Sequence, residues 1–444
     1  MALLGSDIER LTTYDATGRA APKVAERWAH TPDGLTWRLT IRRGVSFQDG
    51  TPLTIADVRD AIREAADSPM MRANTVCLSD VVDVAVEPER DVVVRLRRPC
   101  SYLLDDLDAD LSRTGPDGMR MGTGPFRLVS STPEEARFEV NASYYGGAPV
   151  VDHVVVKTYS TLRAAWAEMM RGELDLLTDV GPEGMEFLRD QSAFETRPFT
   201  PFRAFAVVLN SGRPALKHRD TRYALSIAVN RAELVEQGLK GQGLPADMPV
   251  SPQFWALDSS TTPVAFDPVE ARRLLSRRAP VTFTCLLPEN YSVFERLALL
   301  VQRQLRFVGV DMRLETVSTA AMFTRVAKGD FDAALIDPTG GPYASVYYRF
   351  WHSPDPDVRW NQFNYRSAPV DAALDAMRSA LDDGQFRLAM ARFVSEVRND
   401  PPAIFLAWPT QWQAINRRFV LPEGAGGLDA LRTIPGWRLR GDVR

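Results

Sequence analysis

The residues best suited to chemistry stand in two short segments of this 444-residue chain. The first, YLLDDLDAD at 102–110, carries Asp105, Asp106, Asp108 and Asp110. Paired carboxylates can act as general acid and base, bind a metal, or receive a cationic ligand group, and acid–base work requires that the pKa of one member be raised. A solvated acidic turn is the other interpretation, because runs of like charge usually lie at the surface. Of these four we take Asp106 as a candidate ligand-binding residue.

The second segment, PYASVYYRFWHS at 342–353, is rich in aromatic side chains. It follows the strand pattern FDAALI at 331–336, and α/β sheets present their ligand loops at the carboxyl ends of strands. Tyrosine offers a flat apolar ring with a polar tip, which suits a peptide, a sugar or a chelate. We therefore expect Tyr343, just after a Gly-Gly-Pro loop, in a cleft, whereas the size of Phe350 and Trp351 favours the core.

Motifs of known catalytic and metal sites are missing from the sequence. There is no GxSxG, Walker A motif or GxGxxG after a strand, and the four histidines form no HExxH or HxH pair. Cys77, Cys100 and Cys285 lie far apart without a CxxC pair, which excludes a zinc ribbon and allows at most one disulfide. We expect a protein that is not an enzyme and that binds no metal and no cofactor.

Composition and charge limit the partners of the chain. Apolar residues make up 45% and charged residues 25%, an ordinary globular balance. The formal net charge of −4 and the dispersed arginines give no reason to expect nucleic acid or an anionic membrane as a partner. No apolar run approaches the roughly 20 residues of a membrane helix, and MALLGSDIERLTTYD at the start lacks the basic and apolar stretches of a signal peptide.

The elements that must position the two segments begin with a β-rich section. WRLTIRRGVSFQDGTP at 37–52 alternates apolar and polar residues and then enters a turn bounded by glycines. Thr54-Ile-Ala-Asp57 predicts a capping box at a helix start. VVDVAVEPERDVVVRL at 81–96 predicts a hairpin around a polar turn.

The remainder of the chain mixes strands and helices and predicts two lobes. GTGPFRLV and ARFEVN (122–141) predict paired strands, and the spacing from 281 to 336 is typical of a parallel βαβ sheet. The uncharged strands FAVVLN (205–210) and AIFLAW (403–408) bracket the second α/β portion, so two crossings and a hinged ligand cleft are expected. The predicted division is a β-rich domain at 1–118, a first lobe at 119–210, a second lobe at 211–402, and a return segment at 403–444.

These stretches resemble family 5 of the solute-binding proteins of ABC importers, the peptide/nickel class. WRLTIRRGVSFQDGTPLTIADV is similar to the family signature, an aromatic strand followed by LRxGVxFxDGxPxTAxDV. The similarity continues in order through KVAERWAHTPDGLTW, GTGPFRLV, NASYYGG, MMRGELDLL, LKHRDTRYALSIAVNRAELVE and SAPVDAALDAM. Ordered matches over nearly the whole chain are much more specific than any single motif.

The resemblance implies an α/β bilobal fold, the periplasmic-binding-protein type II fold of cluster C, with an inserted β-rich domain and two hinge strands. It implies capture of a small solute between the lobes, by a monomer in the periplasm or anchored to the cell surface as a lipoprotein, and delivery to an ABC permease. Family members usually begin with an export signal and a first lobe strand, whereas the matching region here begins at about Ile8. We therefore expect a truncated sequence rather than a cytoplasmic chain.

The resemblance also indicates ligand-binding residues. ALIDPTGGPYASVYYRF is similar to a Trp-Gly-x-Pro-Tyr loop of the nickel branch, where Tyr343 keeps the tyrosine and Thr339 stands at the tryptophan position. That branch also uses an arginine before GTGP, and here the acidic segment stands in its place. In the peptide branch an aspartate after this strand receives the ligand's amino group, and Asp337 is the nearest equivalent.

A peptide or other amine-bearing solute is therefore the expected ligand. A nickel-chelate binder and a cytoplasmic ligand-sensing regulator on the same fold stay as alternatives, although no helix-turn-helix pattern precedes the domain. The expected ligand-binding residues are Asp106, Asp337, Thr339, Tyr343, Tyr347 and Trp408.

Overall fold

The structure of the protein is a computed structural model. Strands with alternating apolar residues form its first sheet. The structure describes residues 7–88, 90–107, 111–115, 118–181, 184–185, 191–258, 263–337, 342–354, 361–425 and 429–442. The strands are β1 Thr12–Tyr14, β2 Ala20–Pro22, β3 Ala25–His30, β4 Thr36–Ile41, β5 Val81–Glu87, β6 Asp91–Leu96, β7 Arg113–Thr114, β8 Arg120–Met121, β9 Phe126–Ser131, β10 Glu135–Val140, β11 His153–Lys157, β12 Leu176–Leu177, β13 Phe194–Phe199, β14 Phe205–Leu209, β15 Gly243–Pro245, β16 Thr282–Pro288, β17 Asp311–Val317, β18 Ala333–Ile336, β19 Ala403–Pro409, β20 Gln411–Asn416, β21 Phe419–Val420 and β22 Arg438–Leu439.

The helices alternate with these strands, most densely in the second half of the chain. They are α1 Ile55–Asp67, α2 Pro69–Asn74, α3 Leu103–Asp106, α4 Leu162–Met170, α5 Arg219–Ile227, α6 Arg231–Glu233, α7 Pro268–Leu275, α8 Ser292–Phe307, α9 Thr319–Ala327, α10 Ser345–Trp351, α11 Ala368–Arg378 and α12 Asp383–Asn399. Short 3₁₀ turns occupy Leu78–Asp80, Ala430–Gly436 and Arg440–Asp442, and a π turn occupies Leu234–Gly238.

The β-rich section forms a four-stranded antiparallel sheet in the order β3-β4-β6-β5. Trp37, Leu39 and Ile41 are buried on the inner face of β4, as their alternation predicts. The capping box is confirmed, because the side chain of Thr54 accepts from the backbone N–H of Asp57 and the Asp57 carboxylate accepts from that of Thr54. The predicted hairpin is confirmed as β5 and β6, and α1 packs across this sheet.

The second half of the chain forms a six-stranded sheet in the order β15-β19-β14-β18-β16-β17. β16 runs parallel to β17 and β18, which confirms the predicted βαβ arrangement, whereas β14 pairs antiparallel with β18 and β19. The two faces of this sheet contribute to different buried clusters: α5 and α8 cover one face, and the other is continuous with the core of the β-rich section. The uncharged strands are therefore buried on both faces.

Two crossings of the chain connect the six-stranded sheet to a smaller sheet in the order β12-β20-β13. β13 ends at Phe199 and β14 begins at Phe205, while β19 ends at Pro409 and β20 begins at Gln411. Because β14 and β19 are direct neighbours, the two connections lie side by side. Such a pair of short connections is the arrangement expected of a hinge.

Buried polar contacts attach the β-rich section to helix α11. Arg378 forms an ion pair with Asp80, and both side chains are almost completely buried. Next to them, the backbone N–H of Ser101 donates to the carbonyl of Arg378 at 2.7 Å. A disulfide joins Cys77 to Cys100, while Cys285 is buried and free, so the single disulfide allowed by the cysteine count is formed.

Helices in the described part of the chain are all too short or too polar to cross a membrane.

Candidate ligand site

A cavity of about 490 Å³ lies between the β-rich section on one side and Phe254, Trp255 and the start of α12 on the other. This volume is within the range of about 300–1,000 Å³ that small-molecule sites occupy. Its wall is strongly aromatic, and the rings come from both sides. They belong to Trp28, Trp37, Tyr102, Phe254, Trp255 and Phe386.

Asp105 places a carboxylate on the wall of this cavity. It stands in the single turn of α3, where the hydroxyl of Tyr14 donates to its Oδ1 at 3.2 Å and the backbone N–H of Ser345 donates to its Oδ2 at 3.0 Å. Burial raises the pKa of Asp105 to about 7, against the hydrogen bond from Ser345, which lowers it. A ligand cation would favour the ionised form, so this carboxylate is suited to receive an amino group.

Asp106, the residue that the sequence indicated, has a different role in the structure. It is 3% exposed, and one of its oxygens accepts from the backbone N–H groups of Val76 and Cys77 at 2.6 and 2.7 Å. Burial raises its pKa to about 6, although the bond from Cys77 opposes this. Asp106 therefore braces the disulfide-bearing loop, and its neighbour Asp105 lines the cavity. A role for Asp106 in ligand binding stays a prediction.

Tyr343 lies next to Asp105 in a connected group of polar side chains. Arg10 donates from Nη1 to the hydroxyl of Tyr343 at 2.5 Å, and its guanidinium lies 5.6 Å from the ring centroid. The rings of Tyr343 and Tyr14 meet edge to face with centroids 4.7 Å apart. The sequence did not indicate Arg10, because 333 residues separate it from Tyr343 and it belongs to no recognisable motif.

Asp337 follows β18 and is half-buried. Its carboxylate lies 3.3 Å from a guanidinium nitrogen of Arg203. Burial raises the pKa of Asp337, and the positive charge of Arg203 acts in the opposite direction. Arg203 stands in the connection between β13 and β14, so this ion pair lies at one of the two crossings. The sequence did not indicate Arg203.

None of the five candidates within the described residues is among the residues that line the cavity. Tyr347 is 4% exposed and packs against Phe254 and Phe393. Trp408 is 1% exposed and lies within β19, while Thr339 falls outside the described residues. The segment that holds Tyr347 does border the cavity, through Ala344. As expected, Trp351 is buried in the core and Phe350 packs against it.

The hairpin between β1 and β2 packs between the segment of Tyr343 and the cavity wall. Gly18 has a φ of +80°, and a Cβ on it would come within 3.1 Å of the carbonyl oxygen of Pro342 and of the ring of Phe254. Only glycine allows both this backbone conformation and this close approach. The turn therefore lies directly against the segment of Tyr343, and it brings Arg19 to the cavity wall.

Comparison with known proteins identifies the family. The family model described as "Bacterial extracellular solute-binding proteins, family 5 Middle" matches residues 19–358. The chain belongs to this family. The resemblance noted from the motifs is therefore confirmed, and the family is one of binding proteins, as expected, rather than of enzymes.

Individual relatives are distant in sequence and close in fold. The chain is 23% identical over 370 residues to a nickel-binding periplasmic protein of Escherichia coli K12, covering 76% of this chain and 70% of that protein. It is 23% identical over 440 residues to the probable D,D-dipeptide-binding periplasmic protein DdpA of the same organism, covering 92% and 84%. The solved structure of the oligopeptide-binding protein AppA of Bacillus subtilis with a nonapeptide matches with a TM-score of 0.80 at 20% identity, covering 98% and 93%. The bilobal α/β fold is thereby confirmed.

Proposed function

We propose that this protein is the solute-binding component of an ABC importer and that it captures a short peptide or another amine-bearing solute. The observation that carries the proposal is the aromatic cavity with Asp105 on its wall. Aromatic surfaces supply most of the binding free energy when a ligand is buried, and a few polar groups set its orientation. The similarity to dipeptide- and oligopeptide-binding proteins supports the same ligand class.

Charged side chains of both signs lie on the cavity wall or are connected to it, and they match a zwitterionic solute. Asp105 on the wall is suited to receive an ammonium group, and Arg10, which is connected to Asp105 through Tyr343 and Tyr14, is suited to receive a carboxylate. An amino acid or peptide carries both charges. Arg10 donates to the hydroxyl of Tyr343, the tyrosine that resembles the one in the nickel-branch loop.

Hinge closure would commit the solute to transport. Only the two short connections between the sheets need to bend when the lobes close. A ligand that contacts both lobes would shift the equilibrium towards the closed form, because it makes extra contacts there. A closed, loaded monomer would then be the form that the permease recognises.

The buried disulfide favours action outside the cytoplasm. Disulfides such as Cys77–Cys100 form and persist in the periplasm and at the cell surface, whereas cytosolic thiols are kept reduced. This supports an exported binding protein over a cytoplasmic regulator with the same fold.

Native mass spectrometry of the purified protein tests the proposal. The protein is incubated with a pool of dipeptides to tetrapeptides and, separately, with the nickel–histidine complex. We expect one peptide per protein and no retained nickel complex. Binding of the nickel complex with no peptide bound would overturn the proposal.

A further inference from the structure

The cavity wall contains a cation that the protein supplies itself. Nη2 of Arg19 lies 2.6 Å from Oδ2 of Asp383, and the Arg19 guanidinium carbon lies 4.6 Å from the ring centroid of Trp255. All three residues line the cavity. An aromatic face combined with a carboxylate is the usual recognition surface for an organic cation. The structure thus shows such a surface with a guanidinium already on it.

The aromatic and acidic halves of this surface are held by the scaffold. Trp255 stacks on Phe386 with centroids 5.3 Å apart, and its backbone N–H donates to the carbonyl of Thr17 at 3.0 Å. Asp383 is the first residue of the 17-residue helix α12, which fixes its backbone. The backbone at both positions is therefore held independently of the Arg19 side chain.

The guanidinium of Arg19, in contrast, can be displaced from this surface by another cation. The backbone of its turn is fixed by Asp15, which accepts from the N–H groups of Thr17 and Arg19 at 2.8 and 3.0 Å. The side chain beyond it is 47% exposed and its partner carboxylate is 55% exposed. An ion pair this exposed contributes little to stability, so the return of Arg19 to water costs little.

We propose that Trp255 and Asp383 form a subsite for a guanidinium or ammonium group on a side chain of the solute, which displaces Arg19. The inference rests on the proposed function and narrows its ligand to solutes with a cationic side group. One cation replaces another, so the charge of the subsite does not change. A ligand cation held inside the cavity would be less hydrated than the half-exposed Arg19, and this would strengthen both of its contacts. Arg387, whose guanidinium lies 5.7 Å from the Trp255 ring, limits the subsite to one added cation.

Competition among matched tripeptides tests this subsite. The full chain is incubated with an equimolar pool of Ala-Xaa-Ala, in which Xaa is arginine, lysine, citrulline, leucine or glutamate, and bound masses are measured by native mass spectrometry. Citrulline has the shape of arginine without its charge. We expect the arginine and lysine peptides to be enriched about tenfold over the citrulline peptide, in line with a cation–π contact joined to an ion pair.

Variants separate the subsite from general electrostatics. Asp383→Asn should reduce the enrichment to about one, Trp255→Phe should reduce it several-fold, and Arg19→Ala should increase it several-fold by removing the competitor. Asp311→Asn is the matched control, because Asp311 is 52% exposed and pairs with Arg313 at 3.0 Å on β17. This control should leave the enrichment unchanged.

The outcomes distinguish the subsite from the function on which it rests. Bound tripeptides without preference for arginine over citrulline, or with preference for leucine or glutamate, would overturn the subsite and leave the proposed function in place. Binding of no peptide from this pool or from the broader pool above would overturn the proposed function and the subsite together. An increase in enrichment with Asp383→Asn would also overturn the subsite.

Discussion

Asp105 is the residue on which ligand recognition depends most in this account. Its carboxylate lies on the cavity wall with a pKa raised to about 7 by burial. In the unliganded protein it is therefore largely protonated at pH 5.5 and largely ionised above pH 7.5. A cationic group of the solute binds the ionised form, and binding is linked to loss of this proton.

Affinity for an amine-bearing peptide should consequently rise with pH below 7. We expect an increase of up to about tenfold per pH unit between pH 5.5 and 7. The reason is that each pH unit lowers tenfold the concentration of the protons that compete with the ligand for the carboxylate. Isothermal titration calorimetry at a series of pH values measures this. Asp105→Asn should bind about tenfold more weakly at pH 7.5 and lose the pH dependence. A wild-type affinity that falls as pH rises through this range would contradict the role given to Asp105.

His352 gives a second prediction at this scale, about stability. Its ring stacks on Tyr348 with centroids 4.4 Å apart, and its Nε2 lies 3.5 Å from Asp375. Burial lowers the pKa of His352, but Asp375 and the carbonyl of Ser353 raise it by more, so its pKa is raised overall. A raised pKa contributes stability that is present below the unfolded pKa of about 6.5 and is lost as pH rises through the folded pKa.

His352→Gln should therefore destabilise the protein more at pH 6 than at pH 8. The sign of this difference follows from the raised pKa, because the charged imidazole loses its favourable contacts as it deprotonates. Urea unfolding at the two pH values measures it, and His30→Gln serves as the control, because the contacts of His30 are with the Thr31 carbonyl and the Trp37 ring. Equal losses of unfolding free energy at both pH values would show that His352 contributes through packing alone.

The elements are where sequence reasoning succeeded most fully. The capping box at Thr54, the alternation in β4 and the βαβ spacing around β16 are local patterns, and each predicts an element without knowledge of the rest of the chain. The site was predicted less well. Arg10 contacts Tyr343, which is 333 residues away in the sequence, and Arg203 contacts Asp337, which is also distant in the sequence. The periodicity of apolar residues does not predict such contacts. The acidic segment was predicted, but which aspartate faces the cavity depends on the orientation of α3.

The docking of the β-rich section on α11 should depend on Arg378. Arg378→Met would leave Asp80 buried beside the more exposed Arg98 alone, and loss of one partner of a buried ion pair typically costs about 3–5 kcal/mol. Chemical denaturation measures the loss in free energy of unfolding. Adding Asp80→Asn to the same chain should recover part of it, because the unpaired charge is removed. A loss below about 1 kcal/mol for Arg378→Met would contradict a docking role.

A disulfide closes a loop of the β-rich section at the edge of the site. Cys77 and Cys100 are 23 residues apart, and a loop of that length is stabilised by about 3 kcal/mol when it is closed. Cys100 directly precedes Ser101 and Tyr102, which line the cavity. Cys77→Ala with Cys100→Ala should therefore lower both the melting temperature and the affinity for peptide, whereas Cys285→Ala, at the free buried cysteine, should leave affinity unchanged. Calorimetry of the three proteins measures both effects, and undiminished affinity in the double variant would separate the disulfide from the site.

At the scale of the whole molecule, we propose that the cavity receives the amino group of a solute at Asp105. The measurement that tests this most directly is isothermal titration of one bound peptide with a free amino terminus and of the same peptide acetylated there. We predict that acetylation weakens binding at least about tenfold, because it removes the ammonium group that contacts the Asp105 carboxylate. Equal affinity for the two peptides would contradict the claim.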